Sequence, residues 1–442
     1  MNPKVTSLAL SSRVLVLVLQ FVSNWLMPDH KPDVFKSPRN VSAAEPLDRV
    51  PKFLLGGLVR WDAEYFLHVS EFGYTYENTL AFYPLFPAVV KLITEGVLWL
   101  LPFLSFRYAA LIVATAVNIY FFYRAANCLY DLTLRVLGDA VLAWNAVVLF
   151  CFNPASIFFS APYSECLFSW LSFSLMLECA TKMSALKVIA TLALSFLCRS
   201  NGLLNIGFPI YFVFRTVLLK KTVFNIFKLV FMIALALVPL ALYHMYIYEL
   251  FCLQRPTNHS TNIVDYAVKK QLVLAGPRSN GNSPWCDSAL PYSYSYVQQT
   301  YWDVGLFNYY KLKQIPNFAL AAPILVLIST KSISFLAQIA KELPYRGFAE
   351  VVRTTRSIPF VMHGLALTVF CTLFVHIQVS TRLLASSTPI LYWFAAEYLP
   401  KSFEGLSFSL PHPKSMRALI IYWFGGYFAI GTFLFSNFYP WT

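Results

Sequence analysis

Charge is scarce in this chain, and acid is scarcest. There are 21 Asp and Glu against 34 Lys and Arg in 442 residues, so charged side chains make up 12% of the whole, where a soluble domain carries roughly a quarter. That shortage excludes an ordinary water-soluble globule. No shift in composition sets off a soluble domain, and neither low-complexity tracts nor internal repeats occur, which excludes linker-rich and solenoid architectures. No spacing of His, Cys, Asp and Glu argues for a metal. The formal net charge of +13 does not indicate nucleic acid, because the basic residues are scattered over short connectors instead of gathered on a soluble face with interleaved aromatics. No small-x-small cleavage site follows Leu26-Met27-Pro28. The first apolar run, headed by Lys4 and Arg13, therefore reads as an uncleaved helix.

What is abundant is apolar, 58% of the residues. A hydrocarbon core of ~30 Å needs about 17 to 25 apolar residues per crossing. Candidate spans lie near 11–27, 82–103, 108–126, 141–160, 163–181, 187–218, 224–250, 316–330, 358–378, 383–399 and 417–438, with a break at Arg199-Ser200-Asn201-Gly202 inside 187–218. The expectation is an all-α, polytopic transmembrane bundle of about ten to twelve spans. Lys331, Lys341, Arg346, Arg353 and Arg356 crowd one connector, and Lys220 with Lys221 another, so these face the cytoplasm. The segments 28–81 and 251–315 then lie on the opposite, lumenal side as two insertions in a single integral-membrane domain, 1–442. Each carries one Asn-x-Ser acceptor for glycosylation, Asn40 and Asn258. Six of the eight cysteines sit in apolar runs and read as small hydrophobes. Cys252 and Cys286 share the second insertion, where a disulfide is compatible with an oxidising compartment.

The first insertion holds the most informative stretch, Arg60-Trp61-Asp62-Ala63-Glu64-Tyr65-Phe66. Prolines at 28, 32, 38, 46 and 51 keep its early part irregular. Beyond them Phe53, Leu54, Leu58, Trp61, Tyr65 and Phe66 recur at helical intervals. A helix lying in the headgroup plane and a helix packed on the bundle both produce that stripe. On such a helix Asp62 and Glu64 point apart, while Glu64 and His68 share a face. One carboxylate can address a substrate while the other is held by a neighbour; two water-facing acids would look the same. Ala81-Phe82-Tyr83-Pro84-Leu85-Phe86-Pro87 suits a helix start.

Three later junctions concentrate polar groups. Asn153-Pro154 through Tyr163-Ser164-Glu165 is either a corner bordering an active site or a tight interhelical turn. Arg199, beside Asn201 and Gly202 at a helix break, can fork a phosphate or snorkel to the surface. His376, Gln378 and Arg382 stand between two spans, where cations suit an anionic leaving group. A multi-pass transporter of a polar solute would also use broken helices and intramembrane charge. Here, however, the acids cluster in an insertion and no second half repeats the first.

Together these blocks resemble the GPI mannosyltransferase 2 (PIG-V) family of the GT-C glycosyltransferase superfamily. They are Arg60–Phe66 with Gly73-Tyr74 and Ala81–Pro87, then Asn153–Glu165, Arg199–Gly202, Gly305–Ala322 and His376–Trp393. The resemblance covers most of the chain in order; residues 251–304 fall outside it. It implies a GT-C-like bundle in the endoplasmic reticulum membrane with a lumenal active site. It further implies transfer of mannose from dolichyl-phosphate-mannose to a GPI-anchor precursor glycolipid, adding the second mannose in α-1,6 linkage with inversion. Asp62 occupies the family's acidic position and is expected to be the general base, with Glu64 as positioner or second candidate. Arg60, Trp61, His68, Asn153, Glu165, Arg199, Asn201, His376, Gln378 and Arg382 are the expected donor-phosphate or substrate contacts. No required metal or other cofactor is expected, the alternative being a divalent ion held by Asp62 with Glu64, and an accessory subunit is compatible with the family.

Overall fold

The structure is a computed structural model that describes residues 1–31, 33–38, 45–100, 102–220, 224–253, 257–277, 283–400 and 415–441. Asn40, one of the two expected glycosylation acceptors, and Lys221 lie outside them. Among the described residues every regular element is helical, apart from one antiparallel bridge between Tyr76 and Leu274. The central element is Phe106–Leu137, which packs along Glu165–Ala180, Ala140–Cys151 and the first helix, Pro3–Leu26. Its buried alanines at 109, 110, 114, 125 and 126 explain the close approach, because in lipid small residues at an interface replace the hydrophobic drive that water would supply. Gly138 ends this helix with φ 73°, and Asp139 Oδ1 caps the next one by accepting from the amides of Val141 (2.8 Å) and Leu142 (3.0 Å). Large apolar side chains such as Trp99, Phe227, Phe231 and Leu242 cover the outside, as a lipid-facing surface requires.

The expected ten to twelve spans are not found at full length. By length and composition six described helices can cross a membrane, or seven if Phe348–Thr354 and Ile358–Leu373, bent by 91°, count as one. The difference comes from breaks inside the apolar runs. The 141–160 run is a helix of 12 residues, Ala140–Cys151, stopped by Asn153-Pro154. The 187–218 run is two helices, Ala185–Cys198 and Gly207–Lys220, joined by a 3-10 segment, Ser200–Ile206. The 383–399 run is also two, Ser380–Ser387 and Ile390–Ala396. Helices of 16 residues, Leu85–Leu100 and Glu165–Ala180, reach only about 24 Å. The basic connector after 330 is itself helical, since Ile315–Arg346 runs on through Lys331 and Lys341.

The stripe over 53–66 splits in two. Arg49–Leu55 leaves Val50, Phe53 and Leu54 exposed, as an interfacial helix would, whereas Asp62–Phe72 buries Phe66, Leu67 and Val69 against the bundle. The second insertion folds back onto the first. Cys252 and Cys286 are bonded, with Cα atoms 5.6 Å apart. The buried Glu77 carboxylate accepts from Ser283 Oγ, from Trp285 Nε1 at 2.9 Å and from the Tyr301 hydroxyl at 2.9 Å.

Candidate active site

Asp62 stands at the first position of its helix, preceded by Trp61 at φ 52°. A bulky residue in the left-handed region is strained, and it persists here because its neighbours fix the chain on both sides. The Tyr163 hydroxyl donates to the carbonyl of Arg60 at 3.1 Å and accepts from the amide of Asp62 at 3.1 Å. Tyr163 comes from the Asn153–Glu165 corner, so that corner sets where the acid sits. The Trp61 ring meets Phe438 edge-on at 6.0 Å, and its buried indole N–H has no partner among the described residues.

Four charged side chains from four segments then alternate in sign. Arg382 Nη2 lies 2.6 Å from Asp62 Oδ2, Arg382 Nη1 lies 3.7 Å from Glu165 Oε1, and Arg199 Nη1 lies 2.6 Å from that same Oε1. Asn201 supports the far end, accepting from Arg199 Nε at 3.4 Å and donating to Ser387 Oγ at 2.9 Å. Burial opposes the Arg382 charge, yet Asp62, Glu165 and Tyr163 outweigh it and raise its pKa. The guanidinium also lies over the rings of Phe158 and Tyr163, at 5.2 and 5.4 Å. Glu165 is fully buried and its Oε2 has no partner among the described residues. The Asp62 side chain keeps 26% of its surface exposed, so the acid can be reached from outside.

The other expected site residues have protein partners of their own. Arg60 forks Asp29 at 2.9 and 3.0 Å and donates to the carbonyls of Gly56 and Ser436, under the ring of Phe438. Glu64 is buried against Arg107 at 2.7 Å. Glu64 and His68 do share a face, but what they hold is Ser37, whose amide donates to Glu64 Oε2 (3.2 Å) and whose hydroxyl meets His68 Nδ1 (2.8 Å). The other His68 nitrogen meets Thr75 Oγ1 at 2.7 Å. Asn153 is a turn former, accepting from the Ala155 amide and donating to the Phe150 carbonyl.

His376 and Gln378 form a separate polar group. The His376 ring stacks on Tyr309 at 4.5 Å, and the Tyr309 hydroxyl donates to Gln378 Oε1 while accepting from Asn317. Burial lowers the His376 pKa. Asn258 is exposed, as a glycosylation acceptor must be. No group of three or more His, Cys, Asp or Glu arranged to hold a metal occurs among the described residues.

Two anchors escaped the sequence reading. Arg13, inside the first helix, is fully buried and donates to the carbonyls of Cys151 (2.9 Å) and Ser156 (2.8 Å) and to the hydroxyls of Ser156 and Ser160, over the ring of Phe122. A charge buried this deeply inside an apolar helix signals a bound partner. Arg107 is the second; it opens a helix immediately after a turn, where a surface cation would look the same.

A family profile described as mannosyltransferase (PIG-V) matches residues 2–442. A protein named GPI mannosyltransferase 2 from Drosophila melanogaster is 46% identical over 456 residues, covering 100% of both chains. One named GPI alpha-1,6-mannosyltransferase 2 from Homo sapiens is 35% identical over 497 residues, covering 99% of this chain and 98% of that one. The Cricetulus griseus protein of that name is also 35% identical, with the same coverage.

Proposed function

Because this chain belongs to the PIG-V mannosyltransferase family, we propose that Asp62 is the general base of a mannosyl transfer whose leaving group is received by Arg382 and Arg199. The enzyme moves mannose to a GPI precursor in α-1,6 linkage, as its relatives are named for doing. The donor is dolichyl-phosphate-mannose, the mannose added is the second, and the site faces the lumen of the endoplasmic reticulum. Nothing in the family favours a transporter.

The observation that carries the reading is a reachable carboxylate 2.6 Å from one of two guanidiniums that share a buried glutamate. The acceptor's hydroxyl oxygen attacks the anomeric carbon, and the bond from that carbon to the phosphate oxygen breaks. Its electron pair leaves with the phosphate, and the acceptor's proton passes to Asp62. The lipid phosphate gains a second negative charge in that step, which two guanidiniums can meet without a resident metal. Glu165 holds both cations in place, and Asn201 orients Arg199. The bonded Cys252–Cys286 pair and the exposed Asn258 acceptor favour a lumenal second insertion.

The test uses microsomes from cells lacking their own enzyme and expressing this chain, given labelled donor and a precursor bearing one mannose. A two-mannose product from the wild type and none from D62N at equal protein level is expected. Wild-type turnover by D62N would overturn Asp62 as the base.

A further inference from the structure

Arg382 stands between two carboxylates and is committed unequally to them, at 2.6 Å from Asp62 and 3.7 Å from Glu165. Asp62 Oδ2, one of the two oxygens through which the base takes a proton, is thus occupied by a cation. On the other side, Glu165 Oε2 is buried without a hydrogen-bond partner among the described residues, and an open buried carboxylate oxygen is costly until a donor reaches it. The guanidinium therefore has a second place to go, one that is emptier than the first. Its guanidinium carbon lies 5.2 Å from the Phe158 ring centroid and 5.4 Å from that of Tyr163, two aromatic faces that favour a cation on either side of that position.

We propose that Arg382 is a two-position residue that couples donor binding to release of the base. This rests on the reading of Asp62 as base. Without substrate, Arg382 caps Asp62, and the four charges of Asp62, Arg382, Glu165 and Arg199 cancel. An entering prenyl phosphodiester brings one negative charge and competes with Asp62 for the Arg382 N–H groups. Arg382 turns to the phosphate and to Glu165, and Asp62 is left with both oxygens free to take the acceptor's proton. The base is therefore capped until a donor is present. Thermodynamic reciprocity gives this a counterintuitive consequence: whatever Asp62 contributes to holding Arg382 must be surrendered on donor binding, so removing the Asp62 charge strengthens donor binding.

The experiment measures binding of a short-chain prenyl-phosphate-mannose to the purified full-length enzyme in detergent, with no acceptor present so that no transfer occurs. D62N should bind it more tightly than wild type by up to about fivefold, the upper end of what an ion pair contributes, although the variant transfers no mannose. D62A serves as a second variant should the amide find a new partner. R382A should bind more weakly than wild type, and D62N combined with R382A should show none of the tightening, which assigns the effect to the pair. Equal or weaker donor binding by both Asp62 variants, with wild-type binding intact, overturns the coupling and leaves Asp62 as base untouched. Absence of any binding by folded wild type, or transfer by D62N, overturns the reading of the site and the coupling with it.

Discussion

Glu64 and Arg107 meet at 2.7 Å with side chains only 5% and 10% exposed. The second acid of the Asp62-x-Glu64 pair thus belongs to the wall that supports the first. Removing one partner of a buried pair leaves an uncompensated charge and costs about 3–5 kcal/mol. E64A and R107A are expected to lower the melting temperature in detergent and the yield of folded protein, with activity per folded molecule reduced far less than by D62N. Unchanged melting in both variants would show that the pair is not an anchor.

His68 makes this same anchor sensitive to acid. Burial, helped by Arg107, lowers its pKa from 6.5 to about 3, and its two nitrogens are spent on Ser37 and Thr75. Between those values the unfolded chain binds a proton that the folded chain refuses, so stability rises with pH across the window. It is complete above about 6.5 and falls as the pH drops toward 3. Melting temperature followed from pH 7 to pH 5 should decline, by an amount equivalent to about 1 kcal/mol per pH unit once well below 6.5. The slope should flatten in H68N, a side chain that does not titrate there; an equally steep fall in that variant would place the acid sensitivity elsewhere.

The two acids show what a linear pattern can and cannot carry. Spacing put Glu64 and His68 on one face correctly, because helical periodicity is local. What they face was invisible, since Ser37 lies in an irregular stretch and Arg107 follows a turn. The Asp62–Arg382 contact joins residues 320 apart, a distance that no periodicity bridges; only the polar blocks between spans hinted that their owners converge. Arg199, Glu165 and Arg382 stood out because charge within apolar surroundings is conspicuous, and the structure does gather them. His376 and Gln378 stood out as polar groups between two spans, and the structure sets both against Tyr309. Span counting exceeded the full-length helices where apolar runs continue across helix breaks, because hydropathy records composition; the polar residues at Asn153-Pro154 and Arg199–Gly202 marked two of those breaks, and the one between Ser380–Ser387 and Ile390–Ala396 went unread.

Loss of the Cys252–Cys286 bond is expected to loosen the second insertion. The bond closes a loop with a sequence separation of 34, for which chain entropy gives about 3 to 4 kcal/mol. C252S and C286S should each melt earlier than wild type and become cleavable by protease within the insertion, and the double variant should be no worse than either. A double variant clearly worse than both singles would mean that the thiols contribute separately.

Arg13 ties the first helix to the corner that carries Tyr163 and Glu165. Its guanidinium reaches two backbone carbonyls and two hydroxyls, so R13K, with one compact ammonium, can satisfy only part of the set. R13L leaves the carbonyls of Cys151 and Ser156 without their charged donor, at about 1–3 kcal/mol for each buried group left unmade. Displacing that corner moves the hydroxyl that fixes the Asp62 amide. R13L should therefore lose mannosyl transfer as well as stability, whereas R13K should lose mainly stability. Full transfer by folded R13L would show that the corner holds its shape without the first helix, and that Tyr163 alone is enough to place the acid.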